Sequence, residues 1–236
     1  MLADISVRPS ITAFFPCYNE MANVEDVIRD ALRYLPTVAD EFEVLIIDDG
    51  SVDQTADRAR AIAHGEDRVR VISHRENLGY GRALRTGFES ASYDLIFYAD
   101  GDGQFSLKDL TLLIRDLGDH GFVLGYRQNR ADPLYRRLNG WLWTTLVRAL
   151  LGIRVRDVDC GFKLFRREAV RLEALFSGRG AAISAELITR ATRAGYSYKE
   201  VGVTHYPRKS GRQSGNSPRV IGQSVLDIMR LWRVFR

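Results

Sequence analysis

The chain has 236 residues, 45% hydrophobic and 27% charged, with 20 glycines and 6 prolines. That balance excludes a disordered or collagen-like polypeptide and fits one large globular domain. The net charge of +4 conceals an asymmetry: residues 1–118 carry 12 Lys and Arg against 21 Asp and Glu, and residues 119–236 carry 22 against 9. An acidic half followed by a basic half points to a cation on one side and a phosphate-bearing or anionic partner on the other.

In chain order, the apolar run over residues 11–15 reads as a strand. Val24, Val27, Ile28, Ala31, Leu32 and Leu35 then recur at the spacing of one helix face, with Asn23 placed to cap it. A buried strand over 42–47 ends in the turn Asp48-Asp49-Gly50-Ser51, and an Ala-rich helix follows over 53–63. Strands are expected over 69–73, 95–98 and 122–125, with helices over 81–90 and 107–117 between them. Strands separated by helices of about ten residues imply βαβ units, hence an α/β fold with a mostly parallel sheet. Right-handed crossovers then gather the loops after the strands along one edge. The second half is less regular, with amphipathic helices over 133–151 and 217–236 that bear Trp and Arg; the first suits a membrane interface or packing on the sheet as a surface helix equally, and the last favours the membrane over such packing.

The longest nearly apolar run, from Trp141 to Leu151, is interrupted by Arg148 and falls short of the roughly 20 residues that span a bilayer. The first ten residues lack the apolar core of a secretion signal, and Cys17 and Cys160 are too few for a disulfide framework. A cytoplasmic protein with reduced thiols is expected.

Three strand ends carry the chemistry. Asp100-Gly101-Asp102-Gly103-Gln104 places two carboxylates one residue apart, with glycines that let a ligand approach the backbone. Such hard oxygen donors suit Mg²⁺ or Mn²⁺ bridging a diphosphate. A calcium loop of EF-hand type needs an acidic ligand nine residues beyond Asp102, where Thr111 stands. At the second strand end, Asp49 is placed to accept hydrogen bonds from a ribose or base. After the first, Tyr18 can stack on a base and Glu20 can hydrogen-bond it. Neither a GxGxxG nor a GxxxxGK[ST] loop is present, which argues against a dehydrogenase. His64, His74 and His120 read as surface residues, His205 as a candidate phosphate contact, and both cysteines as packing residues.

Taken together, P-x-Y-N-E, D-D-G-S, E-N-x-G-Y-G-x-A and D-G-D-G-Q, in that order and spacing, resemble the family 2 glycosyltransferases of the GT-A (Rossmann-like) fold. The similar branch is that of the dolichol-phosphate mannose synthase-like, polyprenyl-phosphate glycosyltransferases. The resemblance implies a nucleotide-sugar site at Pro16, Tyr18, Glu20, Ile47, Asp49, Asp100, Gly101, Asp102, Gln104, Arg208 and Ser214. It implies a metal at Asp100, Asp102 and Gln104, and acceptor-phosphate contacts at Arg127 and Arg137. Asp157-Val158-Asp159-Cys160-Gly161-Phe162-Lys163 resembles a segment lining the reaction centre, and Glu186 fits a buried acidic position in the following helix. The loop from Arg208 to Ser214 resembles one that closes over the donor.

Asp102, Asp157 and Lys163 are accordingly the candidate catalytic residues, with Arg127, Arg136, Arg137 and Lys163 supplying positive charge to an acceptor phosphate. Asp157 or Asp159 would act as base only toward a hydroxyl acceptor; Asp157 could instead orient Lys163 or Arg137. The expectation is a single domain, 1–236: a nucleotide-sugar-binding half (11–126), an acceptor half (127–216) and an interfacial helix (217–236). It is expected to be a metal-dependent inverting enzyme, peripheral on the cytoplasmic face of a membrane. It would move a sugar from a UDP- or GDP-sugar to a polyprenyl phosphate. A hydroxyl-acceptor transferase and a noncatalytic nucleotide or nucleic-acid binder are the alternatives; the carboxylates along one sheet edge argue against nucleic acid.

Overall fold

In a computed structural model describing residues 8–128, 134–170, 180, 182–208 and 218–236, seven strands form one mixed sheet covered by helices. The elements are β1 (Ser10–Cys17), α1 (Val24–Val38), β2 (Glu41–Asp48), α2 (Thr55–Ala63), β3 (Val69–Ser73), α3 (Tyr80–Ser90) and β4 (Leu95–Ala99). They continue with α4 (Leu110–Leu117), β5 (Phe122–Gln128), α5 (Leu134–Leu151), β6 (Phe162–Arg166), α6 (Ala182–Arg193), β7 (Tyr198–Thr204) and α7 (Pro218–Phe235). Every strand and helix expected in the first half is present. Asn23 stands at the N-cap of α1, but its amide turns to Glu20 (Nδ2 to Oε2 2.6 Å) and makes no cap bond.

The strand order is β3-β2-β1-β4-β6-β5-β7. β1 to β4 pair in parallel, whereas β6 runs antiparallel to both β4 and β5. β6 and β7 carry no strong sequence signal. β6 is a five-residue run with a charged residue inside it, Phe-Lys-Leu-Phe-Arg, and β7 is an edge strand with only two buried positions. The antiparallel insertion matters for the site: with Ala99 opposite Phe162, the chain enters β6 at the edge where β4 leaves the sheet.

Two apolar layers flank the sheet, one beneath α1, α2 and α4, the other beneath α3, α5, α6 and α7. Across the second face, Phe14, Tyr98, Phe165, Phe122 and Tyr198 stack successively on β1, β4, β6, β5 and β7, with centroids 5.2–6.4 Å apart. Each aromatic pair adds roughly 0.5–1.5 kcal/mol beyond its buried area, which fixes the register of the antiparallel strand against its neighbours.

The C-terminal helices depart from simple packing on the sheet. α5 buries Thr144, Val147 and Leu151 and leaves Leu138, Trp141, Leu142 and Leu146 exposed. α7 packs on α5 and α6, burying Ile228 and Leu231 while Val225, Leu226, Met229 and Val234 face solvent. Among the described residues no helix is long and apolar enough to cross a membrane.

Candidate active site

The parallel strands β1, β2 and β4 release their chains at one edge, and hydrogen bonds stitch the three exits together. Asn19 N–H donates to Ser51 Oγ (2.9 Å), Val52 N–H to Asn19 Oδ1 (3.0 Å) and Glu20 N–H to Thr55 Oγ1 (2.8 Å). Asn19 adopts a positive φ of 56°, which asparagine tolerates better than most residues. Gly101 N–H donates to the Pro16 carbonyl (3.2 Å), and a Cβ on Gly101 would lie 2.3 Å from Cys17 Sγ. Cys17 thus packs beneath the acidic turn, as expected of it.

Glu20, Asp100 and Asp102 share this edge. Arg208, arriving from β7, pairs with Glu20 Oε1 and with Asp102 Oδ2 (3.4 Å). Burial raises the pKa of Glu20 and of Asp102, and burial followed by the Asp102 charge pushes Asp100 up to about 7. Two carboxylates that resist ionising together are short of positive charge. Among the described residues no three His, Cys, Asp or Glu side chains enclose a metal. Mg²⁺ needs no such cage, because it commonly takes one or two carboxylates and completes its shell with phosphate and water oxygens. Asp100 and Asp102 fit that requirement.

Two contacts fix Asp100. The Tyr80 hydroxyl donates to its Oδ1 (2.8 Å), and burial together with the Asp100 charge raises the phenol pKa so that it stays protonated. Gly161, at the mouth of β6, accepts the Asp100 N–H (3.0 Å), and a Cβ there would fall 2.2–2.3 Å from the carboxylate. Gln104 binds Asp102 Oδ1 through its own N–H (3.1 Å), but its side-chain Nε2 donates to the Tyr206 carbonyl (2.9 Å). This glutamine, expected at a metal, fastens the segment bearing Arg208 to the acidic turn.

The other nucleotide-side residues sort by exposure. Tyr18 is half-buried at the rim, Pro16 is buried, and Ile47 is 0% exposed in the core, so its backbone alone can border a ligand. Asp49 is occupied: its oxygens accept Leu78 N–H (3.0 Å) and Gly79 N–H (2.8 Å) and lie 2.7 Å from His74 Nδ1. His74, read from sequence as a surface residue, is instead largely buried, with Nε2 3.0 Å from Thr86 Oγ1. His205 is buried edge-to-face against Phe105 (centroids 5.3 Å apart).

Across the edge lies the second charged group. Arg127 Nε and Nη2 grip both Asp157 oxygens at 2.7 Å, and both side chains are largely buried. Burial alone would lower the Arg127 pKa; the Asp157 hydrogen bonds outweigh it and hold the guanidinium above its ordinary value. Asp159 accepts Trp143 Nε1–H (2.9 Å), and burial followed by the Asp157 charge pushes its pKa up to about 6. Lys163, expected at the reaction centre, is 1% exposed and donates to the carbonyls of Val158 (3.2 Å) and Cys160, bracing the turn before β6. Asp157 is gripped by Arg127, whereas Lys163 turns to backbone carbonyls; the expected contact of Asp157 with Arg137 falls on a side chain outside the described residues. Glu186 is buried, as expected, and pairs with Arg190 (2.8 Å). Ser214 and the side chains of Arg136 and Arg137 lie outside the described residues.

Sequence reasoning missed the roles of Tyr80, His74 and Gly161. Tyr80 and Gly161 lie within quoted motifs, so a signal was present; His74 bears none.

Residues 12–172 match glycosyl transferase family 2. Glycosyltransferase AglD of Haloferax volcanii is 32% identical over 209 residues, 84% of this chain, which spans only 33% of that relative's length. Undecaprenyl-phosphate mannosyltransferase of Micrococcus luteus is 26% identical over 231 residues, 93% of either chain. Among solved structures, glucosyl-3-phosphoglycerate synthase from Mycobacterium tuberculosis in complex with Mn²⁺, UDP and phosphoglyceric acid superposes with a TM-score of 0.71 at 23% identity. The match covers 95% of this chain and 78% of that one. That likeness confirms the expected GT-A architecture. With the sequence match spanning well over half of the chain and both partners of the acidic turn in place, the protein belongs to the family 2 glycosyltransferases.

Proposed function

We propose that the enzyme transfers a sugar from a nucleotide-sugar donor to a polyprenyl phosphate, with a divalent cation, Mg²⁺ or Mn²⁺, held by Asp100 and Asp102. The observation that carries the choice of acceptor is the Arg127–Asp157 pair. A hydroxyl nucleophile needs a free general base; Asp157 is clamped on both oxygens by a guanidinium, and Asp159, the other candidate, is buried and accepts the Trp143 indole N–H. A phosphate oxygen is already anionic near neutral pH and needs positive charge for docking, not deprotonation. The similarity to undecaprenyl-phosphate mannosyltransferase supports the same acceptor class.

In the reaction, the bond between the anomeric carbon and the diphosphate oxygen breaks as the acceptor oxygen bonds that carbon. In-line displacement inverts the anomeric centre. When bound, the cation neutralises charge developing on the leaving diphosphate, an effect worth several kcal/mol. Glu20 and the backbone at Pro16 and Ile47 border the nucleotide. Arg208 bridges Glu20 and Asp102 and is placed to transfer its contacts to diphosphate oxygens. The exposed apolar stripes of α5 and α7, flanked by exposed Arg148, Arg230 and Arg233, would rest on an anionic membrane surface and bring the enzyme to its lipid acceptor.

Incubation with radiolabelled nucleotide sugars and polyprenyl phosphate tests this. The expected product is organic-extractable and labile to mild acid. Label confined to water-soluble oligosaccharide would exclude the lipid acceptor.

A further inference from the structure

The E-N-x-G-Y-G-x-A motif, residues 76–83, has no role in the scheme above, yet it supplies the side chain that touches the acidic turn from the opposite side. Tyr80 opens α3 and sends its hydroxyl to Asp100 Oδ1 at 2.8 Å. Its approach is fixed from behind. Gly79 N–H and Leu78 N–H are both held by the Asp49 carboxylate, which is itself braced by His74 (2.7 Å), and His74 by Thr86 within α3 (3.0 Å). Gly50, at φ 67°, lets this loop close, since a Cβ there would meet the Glu76 backbone at 2.3 Å. Asp100 cannot swing away, because the Gly161 backbone lies against its carboxylate and holds its N–H.

We propose that Tyr80 is a specificity-determining positioning residue: by engaging Oδ1, it restricts Asp100 to single-oxygen ligation and so selects a small divalent cation over a large one. The inference rests on the metal site proposed at Asp100 and Asp102. Mg²⁺ and Mn²⁺ bind carboxylates through one oxygen in compact octahedral shells, whereas Ca²⁺ takes six to eight oxygens and readily accepts both oxygens of a carboxylate. A phenol donor on Oδ1 competes with two-oxygen binding and leaves single-oxygen binding intact. It also orients the ligand, as hydrogen-bond partners of metal-binding carboxylates generally do.

The test is calorimetric titration of Mn²⁺ and of Ca²⁺ into the intact protein with UDP or GDP present, comparing wild type with Tyr80→Phe. The variant keeps the ring that packs in the core and removes the hydroxyl. A melting curve without metal and nucleoside diphosphate binding without metal confirm that fold and nucleotide site persist. The expected result is roughly a tenfold loss of Mn²⁺ affinity with a smaller loss or a gain for Ca²⁺, so that the Mn²⁺/Ca²⁺ preference falls on the order of tenfold. A preference unchanged within twofold, in a variant that melts and binds nucleotide like wild type, overturns the proposal. Wild-type protein that binds neither cation with either nucleoside diphosphate overturns instead the metal site beneath it.

Discussion

Gly161→Ala is the sharpest single perturbation of the acidic turn. The added Cβ would stand 2.2 Å from Asp100 Oδ2 and 2.3 Å from Cγ and Oδ1, where real Cβ contacts essentially never fall below 3.0 Å. Roughly 0.7–0.8 Å of movement is therefore forced on a carboxylate. The backbone cannot yield cheaply, because Gly161 accepts the Asp100 N–H and the paired strands begin at the next residue. Asp100 must turn, losing the Tyr80 hydrogen bond, which for a charged acceptor contributes about 1.5–3 kcal/mol. Overpacking adds a cost of about 1–3 kcal/mol, so a melting temperature lowered by several degrees is expected. Displacement of a positioning group by about 1 Å typically costs about 100-fold in turnover, well beyond what the stability loss alone produces at assay temperature. Gly103→Ala is the control: it introduces strain at φ 69° but meets nothing within 4 Å, so it should cost about 1–2 kcal/mol of stability while sparing the Asp100 carboxylate. Steady-state sugar transfer and thermal unfolding, measured for both variants, decide the matter. Gly161→Ala with wild-type turnover, or with a defect no larger than that of Gly103→Ala, would refute the reasoning.

Asp157→Ala leaves the largely buried Arg127 guanidinium without its clamp and should destabilise the fold by about 3–5 kcal/mol, read by urea unfolding; a loss under about 1 kcal/mol would show the pair to be solvated. Asp159, at about 6, keeps in the folded state a proton that the unfolded chain releases near pH 4. Its contribution therefore makes stability fall as pH rises from about 4 to 6 and level off above, by at most about 3 kcal/mol; Asp159→Asn should make that fall shallower, leaving the part due to Asp100, and an unchanged slope counts against the assignment. Arg208→Ala removes the cation shared by Glu20 and Asp102, so Mn²⁺ should bind the nucleotide-free protein about fivefold more tightly, with donor binding weakened; unchanged Mn²⁺ affinity would mean that the arginine does not compete. Replacing exposed Trp141 and Leu142 with Asp should abolish flotation with anionic vesicles, since each apolar side chain buried in the interface contributes about 1.5–3 kcal/mol, while leaving the melting temperature intact. Undiminished flotation would place the membrane contact elsewhere.

The first half of the fold was legible because each strand there is a short apolar run, each helix repeats its apolar face, and Gly, Asp and Asn mark the turns between. The same regularity located the acidic turn and the exits of β1 and β2, since βαβ topology leaves functional loops only one edge to share. β6 escaped notice because Lys163 interrupts its apolar pattern, and a buried lysine satisfied by carbonyls of the preceding turn has no signature in a single sequence. His74 escaped for a related reason. One histidine at the end of a strand looks solvated until Asp49 and Thr86, 25 and 12 residues away, close on its two nitrogens. Residue types predicted which groups could do the chemistry, but pairing across the sheet decided which of them are occupied.

That distinction revises the meaning of the charge asymmetry. An excess of arginine in the second half invites the inference of a bare cationic pocket, yet two of the candidate cations are already engaged by carboxylates: Arg127 by Asp157, and Arg208 by Glu20 and Asp102. The pairs differ in kind. Arg127 and Asp157 meet through two parallel bonds of 2.7 Å and make a rigid unit. Arg208 is shared between carboxylates from different loops, with its longer contact at 3.4 Å, and the segment carrying it is tied to the acidic turn through Gln104 and Tyr206 and through the bridge between Phe105 and His205. On the proposed donor binding, a divalent cation would give Asp102 a second positive partner and the diphosphate would give Arg208 a second negative one. Arg208 is thus the cation whose partners the proposed donor would exchange, whereas Arg127, held by Asp157 through both of its oxygens, is fixed by the fold itself.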